Sequence, residues 1–328
     1  MRVVMVDAIG GPEQLRLRQY DPGPLGPGDL RVRQYAAGLN FIDVYQRNGT
    51  YPVPNLPYVP GSEGAGMVMA VGEKVEDFAV GDRVGYCLAQ GTYAEEVVVA
   101  QDKVIRLPDE LGFDLAAAVM LKGLTAQYLL RQTFKVGPDT VMLFHAAAGG
   151  VGQIACQWAS ALGATVIGTA GSQEKCELAL TNGCSYVINY REEDFAARVA
   201  EISGGRMCDV VYDSVGRDTF PNSLDCLRKR GLWVSFGQSS GKVPPFDIGL
   251  LNAKGSLFAT RPNLAGYIDT REDMQRACDE LFAVIAEGKV RVAINQRFAL
   301  EDAVAAHRAL EARQTTGPSI FEMAPISV

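Results

Sequence analysis

The segment of residues 141–159 constrains the fold of this chain more than any other. It begins with an apolar, β-prone run, passes through small residues and glycines, and continues into a stretch with helical character. Ala147-x-Gly149-x-x-Gly152 matches the six-residue dinucleotide-binding fingerprint with its first glycine replaced by alanine. Glycine lets the backbone approach a pyrophosphate, and helix N-terminal N–H groups bind phosphate. On the motif alone, an ordinary strand-to-helix turn that needs small residues for packing is the alternative.

The composition indicates a soluble globular chain with a large core. Of its 328 residues, 48% are hydrophobic and 21% are charged. No apolar run reaches the ~18 residues of a transmembrane helix, and the first residues lack the features of a signal peptide. The net charge of −7 gives no general attraction to nucleic acid. A chain of this length is expected to form two domains.

Seven cysteines are scattered along the chain, an odd number with no C-x-x-C spacing. Disulfide frameworks and cysteine-based zinc sites use paired or clustered cysteines. We therefore expect buried free thiols and a reducing, cytoplasmic location.

Residues 1–121 show the pattern of a β-rich domain. Short apolar segments alternate with glycines and prolines, and the clearest strands are predicted at 68–72, 82–84 and 93–99. Residues 51–60 form a proline-stiffened loop. Short strands with such turns are typical of a small barrel or sandwich.

From Lys122 onwards, helices and strands are predicted to alternate. After the strand that opens the glycine motif, five more strands are expected, at 165–169, 186–189, 209–213, 232–236 and 256–260. This alternation predicts a parallel, doubly wound sheet, and six strands give the full two-half dinucleotide-binding arrangement. Helices are expected at 174–180, 274–282 and 301–307.

Several motifs then occur in a specific order. Residues 61–66 (GSEGAG) are followed by residues 81–84 (GDRV) and by the glycine turn at 146–152, and further matching stretches are 38–43, 121–125, 187–190 and 211–216. With these motifs the chain resembles the medium-chain dehydrogenase/reductase superfamily. Within it, the chain is similar nearly end to end to the quinone oxidoreductase (zeta-crystallin-like) family.

The resemblance implies an α/β protein of two domains. A GroES-like, β-rich catalytic domain is expected from residues 1–121 and 262–328. A Rossmann NADPH-binding domain with a doubly wound parallel sheet is expected from residues 122–261. The active site is expected in the cleft between them.

Two positions argue against a metal. Zinc-containing relatives place a Cys in the segment matching 38–43 and a His directly before the Glu of the 61–66 motif, where this chain has Asn40 and Ser62. Zinc needs three or four converging ligands, and the only histidines are His145 and His307. We therefore expect no metal. His145 is interpreted either as a cofactor-contacting or proton-relaying group or as a partly buried histidine at a strand end.

Without a metal, no Lewis acid polarises a ketone or alcohol, so the expected substrates accept hydride readily: quinones and activated enones. The resemblance favours quinones. Asn40, Tyr45 and Tyr51 are the candidate substrate-pocket residues, because they donate hydrogen bonds and the tyrosines stack on flat rings. The alternatives are a turn role for Asn40 and packing under the proline loop for the tyrosines. No residue is assigned as a certain catalytic acid or base.

The resemblance also implies an extended set of cofactor-binding residues. Two of them have simpler local interpretations, Ser172 as the N-cap of a helix and Lys175 as a solvated helix residue. The full set is Asn40, Thr125, Gly149, Gly150, Val151, Gly152, Gly171, Ser172, Lys175, Tyr190, Ser214, Phe236, Gly237, Ser239, Phe258 and Thr260.

The second strand of the sheet predicts which cofactor is bound. Folds that bind NAD usually carry an Asp or Glu about 20 residues after the glycine turn. Here that position is Gly171. Ser172 and Lys175 are suited to binding a 2′-phosphate and Tyr190 to closing the pocket, whereas Glu174 is a competing acid. NADPH is therefore the expected cofactor.

Three functions remain open. The favoured one is an NADPH-dependent quinone reductase, and the second is an NADPH-dependent alkenal or enone reductase. The third is a low-turnover NADPH-binding protein with a structural, sensing or RNA-binding role, although the acidic pI of 5.1 disfavours RNA. A homodimer is also expected through the apolar edge strand 256–260, which would otherwise expose unpaired backbone groups.

Overall fold

The computed structural model describes residues 1–53 and 55–323. Its strands and helices are numbered here in chain order. They are β1 Arg2–Val6, β2 Leu15–Gln19, β3 Asp29–Leu39, α1 Phe41–Arg47, β4 Glu63–Val71, β5 Arg83–Cys87, β6 Glu96–Ala100, β7 Val104–Arg106, α2 Phe113–Gln127, β8 Val141–Phe144, α3 Gly150–Ala161, β9 Thr165–Ala170, α4 Gln173–Thr181, β10 Tyr186–Asn189, α5 Phe195–Ile202, β11 Cys208–Asp213, α6 Asn222–Asp225, β12 Leu227–Ser235, α7 Gly249–Ala253, β13 Phe258–Thr260, α8 Arg271–Ala286, β14 Gln296–Ala299, α9 Ala303–Glu311 and β15 Ser319–Glu322.

The chain forms two compact units. Unit 1 comprises residues 1–122, 270–278 and 293–328, and unit 2 comprises residues 123–269 and 279–292. Residues 262–269 and 279–292, which the sequence places in the first domain, thus lie in unit 2. Their packing gives the reason. Tyr267 stacks on Tyr128 at a ring distance of 4.5 Å, and Leu281 fills the space where a Cβ on Gly123 would lie.

Unit 1 is built on a mainly antiparallel sheet in the order β14-β15-β3-β4-β5-β7, with β6 paired to β3. Strands are found at each of the three predicted positions, but β6 begins at Glu96 rather than at residue 93. Strand β3 is long enough to pair with three neighbours, so its alternate residues supply the buried face. The end of β3 leads directly into α1, which carries the candidate substrate residue Tyr45 and has Asn40 as its N-cap.

Unit 2 contains a parallel sheet in the order β10-β9-β8-β11-β12-β13. In its own numbering this is the strand order 3-2-1-4-5-6, which confirms the predicted doubly wound fold. The four residues of β8 are all buried, as expected for a central strand covered on both faces. The sixth strand is shorter than predicted: β13 spans only Phe258–Thr260, because Ser256 has a φ of +56° and cannot continue the strand.

One helical segment, Phe113–Thr133, is long and apolar enough to cross a membrane by length and composition. It consists of α2 and a π-helical continuation, Tyr128–Thr133. Of the 18-residue stretch that is apolar enough to span a membrane, 72% is buried inside the protein. That degree of burial is typical of a core helix.

Candidate functional site

The glycine turn between β8 and α3 is closely packed. The backbone N–H of Gly149 donates to the carbonyl of Ala146 at 2.9 Å, and α3 begins at the following residue. A Cβ on Gly152 would lie 2.5 Å from the carbonyl oxygen of Ala147, so this position accepts only glycine. The N-terminus of α3 therefore lies directly against the turn, with its free N–H groups at the carboxyl edge of the sheet, where such folds bind a pyrophosphate.

The end of β9 carries the residues predicted to select the cofactor. A Cβ on Gly171 would lie 2.4 Å from the hydroxyl oxygen of Tyr190, so these two residues are in contact. Ser172 is the N-cap of α4, and its hydroxyl accepts the N–H of Lys175 at 3.4 Å. This bond uses the Ser172 oxygen as an acceptor and leaves its O–H available to donate. Lys175 is half-buried one turn into α4, and Glu174 beside it is exposed.

The ends of β11 and β12 bring a second group of predicted residues together. Gly237 lies so close to Ser214 that a Cβ would be 2.6 Å from the carbonyl oxygen of Ser214. The N–H of Ser239 donates to that same carbonyl at 3.1 Å. The N–H groups of Phe236 and Gly237 both donate to the carbonyl of Asp213. These four predicted residues therefore form one cluster around Asp213, a residue that the sequence analysis did not single out.

The carboxylate of Asp213 is fully buried and accepts five hydrogen bonds. Oδ1 accepts the backbone N–H groups of Val215 at 2.8 Å and Gly216 at 3.0 Å. Oδ2 accepts from three side chains, which are Thr219 at 2.8 Å, Ser223 at 3.0 Å and Trp233 at 3.3 Å.

A directed chain of hydrogen bonds leads from His145 to this carboxylate. The single hydroxyl hydrogen of Ser223 has two neighbouring acceptors, Asp213 Oδ2 and the carbonyl of Thr219, and neither can donate. The Ser223 oxygen must therefore accept from His145 Nε2, 3.0 Å away. That assignment leaves His145 Nδ1 to accept from the Thr169 hydroxyl at 3.0 Å. Burial lowers the pKa of His145, which agrees with a neutral ring.

These contacts favour the structural interpretation of His145. Its side chain is 1% exposed, and both ring nitrogens are occupied by hydroxyl groups. The Ser, His and Asp side chains are also in the wrong order for nucleophilic catalysis, because the serine rather than the histidine lies between the other two. The two ring nitrogens of His145 contact hydroxyl groups, so the imidazole does not donate to the carboxylate as it would in a triad, and Ser223 is fully buried.

Apart from Asn40 in unit 1, the remaining predicted cofactor residues are spread over unit 2. Gly150 and Val151 form the first turn of α3, Thr125 is half-buried in α2, and Thr260 ends β13. Phe258 is 61% exposed on β13. Phe258 is on β13, three strands away from β8 in the sheet, and so lies apart from the glycine turn that follows β8.

In unit 1, Asn40 is the N-cap of α1, and the helix begins at the next residue. The same helix carries Tyr45, whose ring packs edge-on against Tyr51 at 5.1 Å. The N–H of Tyr51 donates to the carbonyl of Tyr45 at 2.9 Å, which fixes the segment after the helix. The structure therefore brings Tyr45 and Tyr51 together and attaches Asn40 to the same helix. Both tyrosines are half-buried.

Two buried carboxylates hold Asn40 from different sides. Asp43 Oδ2 accepts its backbone N–H at 2.9 Å, and Glu63 Oε1 accepts its side-chain Nδ2 at 2.8 Å. A carboxylate oxygen only accepts, so the amide must direct its NH₂ group towards Glu63. One N–H of Asn40 is thus committed to Glu63, and its side-chain oxygen faces the backbone N–H of Asp43 in a capping box, which leaves the second N–H for another partner. Asn40 itself is 7% exposed.

Glu63 is neutralised inside the protein by a lysine. Its Oε1 is 2.6 Å from Lys122 Nζ, and its Oε2 accepts the N–H of Leu121 at 2.6 Å. The Glu63 side chain is fully buried and that of Lys122 is 8% exposed. The Glu63 carboxylate is therefore already paired with the Lys122 ammonium. Ser62, the other position where zinc relatives have a ligand, donates to Asp43 Oδ1 at 2.9 Å.

Asp43 ends a second directed chain. Arginine has only donors, so Arg47 Nη1 donates to His307 Nδ1 at 3.2 Å, and His307 Nε2 must carry the hydrogen. Nε2 then donates to the Tyr93 hydroxyl at 3.1 Å, and Tyr93 donates to Asp43 Oδ2 at 3.0 Å. The chain starts at the Arg47 guanidinium, which is also paired with Glu311 at 2.7 Å. Since a guanidinium does not give up its proton, these contacts position α1 and do not relay protons from Glu311.

Two ionisable groups of this hydrogen-bond chain, Asp43 and His307, have shifted pKa values. Burial raises the pKa of Asp43 to about 7, against hydrogen bonds from Ser62, Asn40 and Tyr93 that lower it. Burial, together with the nearby Arg47 guanidinium, lowers the pKa of His307 to about 3. His307 is therefore neutral at physiological pH, as its two contacts require.

The sequence analysis missed the buried charged residues that hold these sites, namely Asp43, Glu63, Lys122 and Asp213. Their common signal in the sequence is a charged residue within or next to an apolar strand or helix. Such a residue is expensive to bury without partners, so its position indicates a buried network. For Asp43 and Glu63 the identity of the partners does not follow from the sequence, because Tyr93 and Lys122 are 50 or more residues away along the chain.

Models of known protein families match the sequence in both units. Residues 26–109 match the model of the alcohol dehydrogenase GroES-like domain, and residues 150–283 match the model described as zinc-binding dehydrogenase. The donor set of this chain does not fit zinc, because an amide and a hydroxyl stand at two ligand positions. Within residues 1–53 and 55–323, no three His, Cys, Asp or Glu side chains are grouped so that they would hold a metal ion.

Similar proteins cover nearly the whole length of the chain. A quinone oxidoreductase of Pseudomonas aeruginosa is 54% identical over 315 residues, which is 96% of this chain and 97% of that protein. A 2-haloacrylate reductase of Burkholderia is 45% identical over 319 residues, with 95% and 96% covered. The crystal structure of Escherichia coli quinone oxidoreductase complexed with NADPH is 49% identical and superposes with a TM-score of 0.97, covering 98% of this chain and 100% of that one.

Proposed function

Because the chain belongs to the quinone oxidoreductase family of the medium-chain dehydrogenase/reductase superfamily, we propose that it reduces quinones with NADPH and without a metal. The observation that carries the proposal is the doubly wound sheet with a glycine turn and no carboxylate at the end of its second strand. NADPH, when bound, supplies the hydride, and one proton completes the conversion of a quinone to a hydroquinone.

The fit of unit 2 to NADPH rests on three features at the carboxyl edge of its sheet. The α3 N-terminus and Gly152 provide a close approach for a pyrophosphate. Gly171 leaves no carboxylate to repel a 2′-phosphate, and the Ser172 hydroxyl and the Lys175 ammonium are suited to bind one. Tyr190 covers Gly171. The cluster formed by Ser214, Phe236, Gly237 and Ser239 is proposed to hold the other half of the dinucleotide.

The test of cofactor choice is kcat/KM for NADPH and for NADH. The wild type is expected to prefer NADPH, and Lys175→Ala to lose about 10- to 100-fold of that preference, the value of one charge-assisted hydrogen bond. Gly171→Asp is expected to reverse the preference. Since any Cβ at this position displaces Tyr190, Gly171→Ala is the matched control for crowding without charge. Equal use of both cofactors by the wild type would overturn the assignment.

On the substrate side, we propose that Asn40, Tyr45 and Tyr51 orient the quinone. The second side-chain N–H of Asn40 and the tyrosine hydroxyls donate to quinone oxygens. Because the two tyrosine rings meet edge-on, one ring face at a time stacks on the quinone. Reduced quinone oxygens take protons from water, so no obligatory acid is needed. Phe at position 45 or 51 should lower turnover moderately. A loss above about 10⁴-fold would exceed the usual contribution of a general acid and would contradict a positioning role.

A second candidate, reduction of activated alkenes, is favoured by one specific comparison. The 2-haloacrylate reductase is named for a substrate with an activated carbon–carbon double bond, and it shares 45% identity with this chain. A panel of quinones, enones, haloacrylates and aldehydes, each followed by NADPH oxidation, separates the two candidates. Turnover of quinones well above all alkenes supports the first, and the reverse order supports the second. Binding of NADPH without turnover of any compound would indicate the low-turnover alternative.

The absence of a functional metal is tested by elemental analysis of the purified protein. We expect far less than one zinc per chain and full activity after treatment with a chelator. A stoichiometric zinc ion whose removal abolishes activity would contradict this proposal.

We also propose a homodimer formed through β13. This strand pairs with β12 on one side and is at the edge of the described sheet. Its Phe258 is 61% exposed, and Ile248 nearby in the chain is 78% exposed, so apolar surface and unpaired backbone occur together. Light scattering at micromolar concentration is expected to give twice the mass of one chain, and a monomer would contradict the assignment.

A cytoplasmic location is proposed from the cysteines. All seven are free and buried, as expected for a protein kept in a reducing compartment. Fractionation of the source cells tests the assignment, and recovery of the protein from an oxidising compartment would contradict it.

A further inference from the structure

Asp213 lies where the two halves of the parallel sheet diverge. It is the last residue of β11, which pairs with β8 on one side and β12 on the other. The order of the sheet reverses between β8 and β11, and in folds of this type the dinucleotide crosses the sheet at that point. Strands β8–β10 form the half that receives the adenosine, and β11–β13 form the half that receives the nicotinamide mononucleotide.

The hydrogen bonds of Asp213 fix both turns of the second half. Its carboxylate oxygen Oδ1 accepts two consecutive backbone N–H groups, Val215 and Gly216, and so determines the turn that begins with Ser214. Its own carbonyl accepts the N–H groups of Phe236 and Gly237, which determines the turn after β12. Gly216 has a φ of +90°, and its N–H is held in this conformation only through Asp213 among the contacts described.

These two turns contact each other as well. The N–H of Ser239 and the missing Cβ of Gly237 both face Ser214, and the Arg217 N–H donates to the carbonyl of Gly241 at 3.1 Å. A displacement of either turn therefore displaces the other. Asp213 reaches the adenosine half only at second hand, through the side chains of Ser223, His145 and Thr169. The turn after β9 is held by other contacts, because Ser172 is the N-cap of α4 and Gly171 lies against Tyr190.

We propose that Asp213 is a positioning residue that shapes the nicotinamide half of the dinucleotide site before the cofactor binds. This inference rests on the proposed binding of NADPH. Asp213 acts through the two turns and does not itself contact the reacting atoms, since it is fully buried beneath them. The residue therefore contributes to affinity for the whole dinucleotide and not to affinity for its adenosine part.

The experiment compares two ligands on three variants by isothermal titration calorimetry. NADPH occupies both halves of the site, whereas adenosine 2′,5′-bisphosphate occupies only the adenosine half. In Asp213→Ala the N–H groups of Val215 and Gly216 lose their acceptor, and the affinity for NADPH should fall about 10- to 100-fold. The affinity for the bisphosphate should not change. Asp213→Asn keeps one oxygen for the two N–H groups and should restore most of the loss.

Asp209 provides the matched control. It is on the same strand, at the opposite end, and its carboxylate is also nearly buried and accepts from Val141 N–H, Arg206 and Arg228. Asp209→Ala should destabilise the protein while leaving the affinity for both ligands unchanged. An equal loss of NADPH affinity in the two alanine variants, or an equal loss for both ligands in Asp213→Ala, would overturn the proposal.

Two measurements on the wild type complete the test. The amides of Val215 and Gly216 should exchange with solvent as slowly as strand amides in the protein without ligand, because the turn is formed in advance. Fast exchange would overturn the proposal even if Asp213→Ala does not fold. A wild type that binds the bisphosphate and NADPH confirms the premise. A wild type that binds neither ligand removes the proposed function, and this inference with it.

Discussion

The two units bury their only histidines in the same way. In unit 1, His307 donates through the Tyr93 hydroxyl to Asp43, and in unit 2, His145 donates through the Ser223 hydroxyl to Asp213. The units differ in what stands at the far ring nitrogen. A guanidinium donates to His307, whereas a threonine hydroxyl donates to His145.

The carboxylates that end the two hydrogen-bond chains, Asp213 and Asp43, also have different surroundings. Asp213 accepts five donors, all of them neutral, and two are backbone N–H groups of the turn that follows it. Asp43 accepts three donors and has Glu63 and Lys122 in the same buried network, joined to it through Asn40. The same chain of histidine, hydroxyl and carboxylate therefore has a different role in each unit. In unit 2 it shapes a backbone turn, and in unit 1 it holds a helix next to a buried ion pair.

The largest effect is expected from breaking the buried Glu63–Lys122 ion pair of unit 1. Glu63→Gln leaves the Lys122 ammonium buried without a counter-charge, which should lower the free energy of unfolding by about 3–5 kcal/mol. The corresponding change in unit 2, Asp213→Asn, leaves no charge unpaired and should cost about 1–3 kcal/mol. Urea-induced unfolding measures both.

The double variant Glu63→Gln/Lys122→Met is the control for this prediction. Removing the ammonium should recover much of the stability lost in the single variant, because the uncompensated charge is gone. A double variant no more stable than Glu63→Gln would show that the charge pair is not the cause.

A smaller effect is expected from removing the hydroxyl in the middle of each chain. Tyr93→Phe and Ser223→Ala each leave a histidine N–H without its acceptor inside the protein, so each should lower the free energy of unfolding by about 1–3 kcal/mol. Each variant should also disturb only the histidine of its own unit in NMR spectra. A variant that costs nothing, or that shifts both histidines, would contradict the hydrogen-bond directions assigned above.

The dependence of stability on pH distinguishes His307 from Asp43, the two titrating groups of the hydrogen-bond chain in unit 1. The pKa of His307 is lowered from 6.5 to about 3, so its contribution to stability is complete above pH 6.5 and is lost as the pH falls towards 3. The pKa of Asp43 is raised from 3.8 to about 7, so its contribution is complete below pH 3.8 and is lost as the pH rises through 7. The two groups thus act in opposite directions.

His307→Gln should therefore lose less stability than the wild type between pH 7 and pH 5, since glutamine offers the same acceptor and donor without binding a proton. His145→Gln is the matched variant in unit 2, where burial also lowers the pKa of the histidine. It should reduce the acid loss in the same direction. An unchanged slope in both variants would mean that these histidines are not neutral in the folded protein.

How much of this arrangement the sequence predicts depends on the range of the interactions. The parallel sheet follows from short-range signals, because apolar runs such as residues 186–189 recur between helices and glycines, and that strand begins and ends where expected. The predicted sixth strand, 256–260, begins two residues too early. Ser256 has a left-handed backbone, which its residue type does not indicate.

For the proposed site, the sequence indicates positions whose backbone geometry a local motif fixes, and it misses buried residues that depend on distant partners. Gly152, Gly171 and Ser172 have roles visible within a few residues, and the structure places them at one edge of the sheet. Asp43 receives its hydrogen bond from Tyr93, 50 residues away, and His307 lies a further 214 residues along the chain. No pattern within α1 indicates those partners, so the residues that hold Asn40 became evident only from the structure.

The smallest effect is expected in the wild type itself, in the NMR signals of its two histidines. Both rings should be neutral Nε2–H tautomers, because Arg47 and Thr169 donate to Nδ1 and the Tyr93 and Ser223 oxygens accept from Nε2. Their ¹⁵N shifts should stay constant from pH 6 to pH 8, whereas an exposed histidine with a pKa near 6.5 would titrate across this range. With only two histidines in the chain, Tyr93→Phe and Ser223→Ala assign the signals without further labelling. A titrating signal, or an Nδ1–H tautomer at either position, would show that the hydrogen bonds through His145 and His307 do not run in the same direction. The comparison of the two units would then lose its basis.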